Sequence, residues 1–327
     1  MKAAVVTAAG KAPVYGTFND PASSEGMEVI TVSASALTHL SKARASGAHY
    51  SSEGDYPSVP GVDGVGRTAD GRRVYFILPE APFGALAEKS LVRSAQCIPL
   101  PDALDDVTAA AIANPGMSAW AAYVERAHMK PGDTVLVNGA TGTAGRMAVQ
   151  LARYLGAGKV IVTGRNESEL KSLATIGADI AIAFDLGAPS GAKSFEQALI
   201  AEFSHGMDVV IDYLWGQSAR AIITAVAKGV EDGRPVRFVL VGSASQGAGQ
   251  EDTIDLPAAA LRSSAIQLMG SGLKSVPQAK LLAAIQNVFN AVQPAGLQIA
   301  TAAIPLSAIE ETWDSAPGHP RAVYTIP

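Results

Sequence analysis

The chain carries a single cysteine, Cys97, in 327 residues. One thiol cannot close an intrachain disulfide, and it excludes every metal site built from several cysteines. Clustered basic residues are missing as well. Lysine and arginine total 25 against 30 acidic residues, for a formal net charge of −5. No run of them would track a phosphate backbone, which argues against a nucleic-acid partner. No apolar stretch approaches the length of a bilayer span, so no membrane partner is expected. The opening Met-Lys-Ala-Ala-Val-Val is too short an apolar run for a signal peptide and reads as a first strand. The expectation is a soluble, cytoplasmic protein. With 48% hydrophobic and 17% charged residues, the composition is that of an ordinary globular chain, long enough for two domains.

What is present starts with Val135 to Gly145, Val-Leu-Val-Asn-Gly-Ala-Thr-Gly-Thr-Ala-Gly. A short β-branched strand empties into closely spaced glycines, and the helix-forming run Arg146 to Tyr154 follows. That order suits a dinucleotide pyrophosphate: Gly142 lets backbone approach the phosphates, and Gly145 lets the helix pack on the strand. The helix N-terminus offers unpaired N–H groups to the anion. Ala140 stands where the first fingerprint glycine would be, so the motif reads A-x-G-x-x-G. The candidate pyrophosphate contacts are Gly142, Thr143, Ala144 and Gly145, with Ala140 a further cofactor-binding candidate and Arg146 either adding charge there or pointing into solvent. The next strand ends in Thr163-Gly164-Arg165-Asn166, with no carboxylate before Glu167. A carboxylate there would accept ribose hydroxyls, whereas a guanidinium can bind a 2′-phosphate. Arg165 is either a solvated turn residue or the ligand of that phosphate; its place beside Gly164 favours NADP(H).

Residues 1 to about 114 break into strand-like pieces punctuated by Pro57, Pro60, Pro79, Pro82, Pro99 and Pro101, which reads as a mostly β domain. From about Met117 strands and helices alternate, starting with a helix over Ser118 to Ala127. Six strands with helical crossovers imply a doubly wound parallel sheet. A short β tail closes the chain and returns to the first domain.

The opening strand, Pro60-Gly-Val-Asp-Gly-Val-Gly66, Met129-Lys-Pro-Gly-Asp133, the glycine motif and Val239-Leu-Val-Gly-Ser243 occur in an order that resembles the medium-chain dehydrogenase/reductase superfamily. The zinc-free quinone oxidoreductase, or zeta-crystallin-like, branch fits best. The resemblance implies an α/β fold: a GroES-like, mostly β catalytic domain over residues 1–116, a Rossmann domain over 117–271, and a return to the catalytic domain over 272–327. It also implies NADPH-dependent reduction of a quinone or an α,β-unsaturated carbonyl, and a homodimer. Where zinc-dependent relatives carry metal ligands, this chain aligns Thr38, Val62 and Asn114. None is a thiolate or imidazole, and a catalytic zinc needs three such ligands. No metal is therefore expected, although His39 and His49 lie nearby in sequence.

The same resemblance puts Thr38, Tyr50, Asp63 and Asn114 around a substrate cleft where the β domain faces the carboxyl ends of the strands. Tyr50 would bond the acceptor oxygen or supply a proton; it could equally be a tyrosine packed at a loop surface. Asn114 would orient a carbonyl or, preceding Pro115, simply start a turn. Asp63 reads as a loop-fixing residue that accepts backbone N–H bonds. Asp212, Gly242 and Ser243 would run past the nicotinamide, and Gln246 to Gly249 reads as a glycine-rich loop. Relatives that prefer NADP use a lysine early in the helix after the second strand and an aromatic hydroxyl after the third; the aligned residues here are Glu169 and Phe184. Two further readings stand beside the quinone reductase: a 2-enoyl thioester reductase, which would need positive charge for a coenzyme A phosphate, and a non-catalytic, crystallin-like NADPH-binding protein.

Overall fold

The computed structural model describes residues 1–47, 55–244, 253–314 and 320–327. They fall into two compact units. One comprises Met1–Asn114, Ile285–Asn290 and Gln298–Pro327; the other comprises Pro115–Ala284 and Ala291–Leu297.

The first unit is built on antiparallel strands. β1 (Lys2–Val5) and β2 (Val14–Thr17) form a hairpin. β3 (Met27–Ala36) is the organising strand, followed by helix α1 (His39–Ala45), β4 (Asp63–Arg67), β5 (Arg73–Ile77), β6 (Lys89–Arg93) and β7 (Cys97–Pro99). β3 pairs with β4 and β6, and β5 lies between β4 and β7. Ile30, Val32, Val74, Phe76, Leu86 and Val92 interlock in its core. Burial of such side chains, at about 25 cal/mol per Å² of apolar area, is what offsets the chain entropy lost in these short strands.

Helix α2 (Asp106–Trp120) begins twelve residues before the sequence suggests and runs through Pro115. Proline deprives the helix of a hydrogen bond, at a cost of about 3 kcal/mol. Ala109 to Ala113, all fully buried, supply the packing that outweighs it. The start is fixed by Asp106, which accepts from the Ser33 hydroxyl at 2.5 Å and from the Arg73 guanidinium at 2.6 Å. Beyond Trp120 the helix widens into a π turn over Ala121–Arg126.

The second unit matches the expected alternation strand for strand. β8 (Thr134–Asn138), α3 (Thr143–Tyr154), β9 (Lys159–Gly164), α4 (Glu167–Ser172), β10 (Ile180–Ala183), α5 (Gly191–Phe203), β11 (Val209–Asp212), α6 (Gly216–Gly229), β12 (Pro235–Leu240) and β13 (Ala265–Gly270) follow in order. All six strands are parallel, arranged β10-β9-β8-β11-β12-β13. The order reverses between β8 and β11, which is where nucleotides sit in sheets of this kind. Apolar runs such as Val135–Val137 and Val160–Val162 are wholly buried, as parallel strands require. Finally β14 (Thr301–Pro305) and β15 (Arg321–Thr325) pair with each other, and β15 joins β3 in the first unit.

Candidate functional site

The glycine turn lies between β8 and α3. A Cβ built on Gly145 would stand 2.3 Å from the Gly139 carbonyl oxygen and 2.6 Å from Ala140 Cα, so only glycine lets α3 approach the turn. Gly142 differs: its nearest protein neighbour would be 3.8 Å away. The protein itself tolerates a side chain there, and the demand for glycine comes from whatever approaches from outside. Gly142 is also the N-cap of α3, with no side-chain cap and no acidic residue in the first turn. The helix therefore presents its positive dipole end undiminished. These features fit a pyrophosphate held over Gly142 to Gly145. Ala140 is different in kind: it is buried and its N–H donates to Thr163 O at 3.1 Å, shaping the turn from within. Arg146 does not simply face solvent. Its Nε donates to Thr141 O at 3.0 Å, and its guanidinium lies 3.8 Å from Glu169.

After β9, Gly164 is buried, whereas Arg165 is exposed. Asn166 caps α4 by accepting from Glu169 N at 3.2 Å. Arg165, Asn166, Ser168 and Lys171 border one surface cavity, together with Glu167, which is paired to Lys171 at 2.7 Å. The Lys171 ammonium holds the Glu167 carboxyl below its ordinary range. The aligned residue, Glu169, bonds the Asn166 cap through its N–H, and the lysine of this helix is Lys171, five residues after that cap. Phe184, aligned with an aromatic hydroxyl, is buried against Phe195 with ring centroids 4.7 Å apart.

Asp212 closes β11 with its carboxylate turned inward. Burial pushes its pKa up to about 6, opposed by hydrogen bonds from Leu214 N, Asn138 and Trp215 N. Its carbonyl accepts from Val241 N at 2.8 Å and Gly242 N at 3.2 Å, so half-buried Gly242 and Ser243 hang from the same residue.

In the first unit Thr38 is the N-cap of α1, its hydroxyl accepting from Ser41 N at 2.8 Å. Asn114 sits half-buried inside α2; it starts no turn. Tyr50, His49 and the Gln246–Gly249 loop lie outside the described residues. Asp63 corrects the reading of it as a loop fastener. It is buried, and its Oδ1 has no hydrogen-bond partner among the described residues. Burial pushes its pKa up to about 6, opposed by the charge of Arg321 and by the Tyr75 hydroxyl. Arg321, from the distant strand β15, is equally buried. Its Nε and Nη2 have no partner among the described residues, and burial lowers its pKa. Nothing in the sequence around Arg321 marked it. His39 is also pushed down, by burial and then by Lys42 and Arg321. A separate cleft in this unit is lined by Ser41, Arg44, Tyr56, Ser58 and Val62 among others, and includes neither Thr38 nor Asn114. Among the described residues no group of three or more His, Cys, Asp or Glu side chains could hold a metal ion.

Residues 144–290 match the zinc-binding dehydrogenase family. Over the whole of both chains the protein is 27% identical to a probable NADPH-dependent quinone reductase of Emericella nidulans. It is 34% identical over 144 residues to an acrylyl-CoA reductase of Ruegeria pomeroyi, a match covering 40% of this chain and 43% of the other. The quinone oxidoreductase of Thermus thermophilus, solved also as its complex with NADPH, aligns over the whole of both chains with a TM-score of 0.79 at 23% identity, a likeness of fold. In these matches the chain is similar to quinone oxidoreductases of the medium-chain dehydrogenase/reductase superfamily, and the structural likeness shows that it shares their fold.

Proposed function

We propose that this protein is an NADPH-dependent reductase that transfers hydride to a quinone or an α,β-unsaturated carbonyl without a metal ion. The observation that carries the reading is the pairing of two anion sites in one βαβ unit. One is the uncapped N-terminus of α3 behind Gly142, and the other is the cavity bordered by Arg165 and by Lys171, the latter paired to Glu167. Likeness to a quinone reductase along the full chain supports the acceptor class.

The bound nicotinamide would supply the hydride, and the chain's own groups do the rest by placement. Thr143, Ala144 and Gly145 present N–H groups to the pyrophosphate, while Arg165 and Lys171 take the 2′-phosphate. Gly242 and Ser243 carry backbone past the nicotinamide, and Asn114 and Thr38 remain the candidates at the acceptor end. A quinone or enone needs no Lewis acid, because it already accepts hydride at an electrophilic atom and its oxygen is protonated from solvent. Thr38, Val62 and Asn114 offer no thiolate or imidazole at the positions where zinc-dependent relatives bind metal, which supports a metal-free site despite the name of the matched family.

The likeness to an acrylyl-CoA reductase favours a second reading, a 2-enoyl thioester acceptor. NADPH oxidation with an ortho-quinone, a simple enone and crotonyl-CoA in parallel separates them. Turnover of the first two, unaffected by coenzyme A thioesters, is expected; turnover of the thioester alone would replace the quinone reading. For assembly we favour a homodimer. Strand β13 is an edge of the parallel sheet and leaves Leu268 exposed, a surface suited to pairing with a second copy. No helix among the described residues is long and apolar enough to cross a membrane, and a cytoplasmic location remains part of the proposal.

A further inference from the structure

Parallel strands buried on both faces are ordinarily apolar, and burying an amide, a hydroxyl and a carboxylate among them is costly unless each is bonded. At the carboxyl ends of three adjacent strands this sheet nevertheless carries a polar row. Thr163 of β9 stands opposite Asn138 of β8, which stands opposite Asp212 of β11. All three are fully buried, and Ser218 of α6 is nearly so.

The row is joined throughout. Thr163 Oγ1 donates to Asn138 Oδ1 at 2.7 Å. Asn138 Nδ2 donates to Asp212 Oδ1 at 2.8 Å and to Ser218 Oγ at 2.9 Å. The Asp212 carboxylate also accepts from Leu214 N at 3.0 Å and from Trp215 N at 3.1 Å, and Ser218 Oγ donates to Trp215 O at 3.1 Å. These bonds hold Trp215 at φ +60° and ψ −158°, a conformation costly for any residue but glycine.

What they hold it for is visible next door. Gly139, at φ +85°, leads the glycine turn, and a Cβ on it would stand 2.9 Å from Leu214 Cγ. Leu214 is thus seated on the turn from one side. From the other, Gly139 N and Ala140 N both donate to Thr163 O, at 3.0 and 3.1 Å. The first restraint comes from Leu214, whose N–H is held by Asp212, and the second is the main-chain carbonyl of Thr163, whose position is tied to the row through the Thr163 hydroxyl on Asn138.

We infer that Asn138, Asp212, Thr163 and Ser218 are positioning residues that preset the phosphate-binding turn, so that they govern nucleotide affinity and not the hydride-transfer step. The inference rests on the NADPH reading above. Its test uses the full-length protein and three variants: Asp212→Asn, Thr163→Val and Thr163→Ser. The first replaces a carboxylate oxygen with a donor facing other donors. The second removes one hydroxyl at constant shape, and the third restores it.

NADPH dissociation constants are measured by quenching of nicotinamide fluorescence, with kcat at saturating NADPH and urea unfolding alongside. The expected result is a dissociation constant raised about tenfold or more in Asp212→Asn and Thr163→Val, kcat within about twofold, and Thr163→Ser close to wild type. Unchanged NADPH affinity in folded Asp212→Asn and Thr163→Val, with only the unfolding midpoint lowered, would overturn it, and so would a fall in kcat at unchanged affinity. Failure of the wild-type protein to bind NADPH would remove the parent reading and the inference with it; failure of the variants alone to differ removes only the inference.

Discussion

Asp63 and Asp212 are two buried carboxylates, one in each unit, and burial raises the pKa of each to about 6. Their surroundings differ. Asp212 is surrounded by dipoles, with two backbone N–H groups and an amide pointing at it and no cation among the causes of its shift. Asp63 keeps one oxygen with no hydrogen bond among the described residues and relies on the charge of Arg321 and on Tyr75. Local turns can supply dipoles, because Leu214 and Trp215 follow Asp212 directly. A counter-charge had to be brought from β15, over 250 residues away in sequence. The first unit therefore depends on a long-range charge, whereas the second depends on local geometry. Nucleotide recognition, as proposed, repeats the contrast on the outside: N–H dipoles for the pyrophosphate and cations for the 2′-phosphate.

Removing the counter-charge should have the largest effect. Arg321→Met leaves Asp63 buried without a cation and should lower the unfolding free energy by about 3–5 kcal/mol in urea. Asp212→Asn keeps an acceptor for the turn and should cost about 1–3 kcal/mol. Equal losses would erase the distinction. Next comes pH. Both folded-state pKa values lie above the ordinary 3.8, so the stability linked to each is complete below 3.8 and is lost as pH rises through about 6. At about 1.4 kcal/mol per pH unit, each carboxylate contributes a decline of roughly 3 kcal/mol. In urea titrations across that window the wild type should lose stability relative to Asp212→Asn as pH rises; a difference between the two that does not change with pH would contradict the assignment.

On the ligand side, Arg165→Ala and Lys171→Ala should each weaken NADPH binding about tenfold while leaving NADH within about twofold, read by fluorescence titration. Equal losses for both nucleotides would sink the 2′-phosphate assignment. The smallest expected effect is none at all: a metal chelator should leave turnover unchanged, and a lasting loss restored by zinc would overturn the metal-free proposal.

The nucleotide unit was legible because its signals are local. A β-branched run, a glycine turn and a helix-forming stretch are consecutive, and each of the six strands appears where hydrophobic periodicity puts it. The start of α2 was not legible: Pro99 and Pro101 read as loop punctuation and Asn114-Pro115 as a candidate turn, and only tertiary burial of Ala109 to Ala113 makes a helix there. Asp63 was misread for a related reason. Flanking glycines suggested a local role, while its real partners come from β5 and β15, which no spacing within Gly61 to Gly66 can reveal. Asp212 was read as a cofactor contact, and its position at the end of β11 gives no sign that the carboxylate faces Asn138.

Whether the protein is an NADPH-dependent quinone reductase is decided by nicotinamide absorbance with an ortho-quinone, using NADPH and NADH at equal concentration. Rapid oxidation of NADPH and slow oxidation of NADH are expected. Oxidation of both at the same rate, or of neither, would contradict that reading.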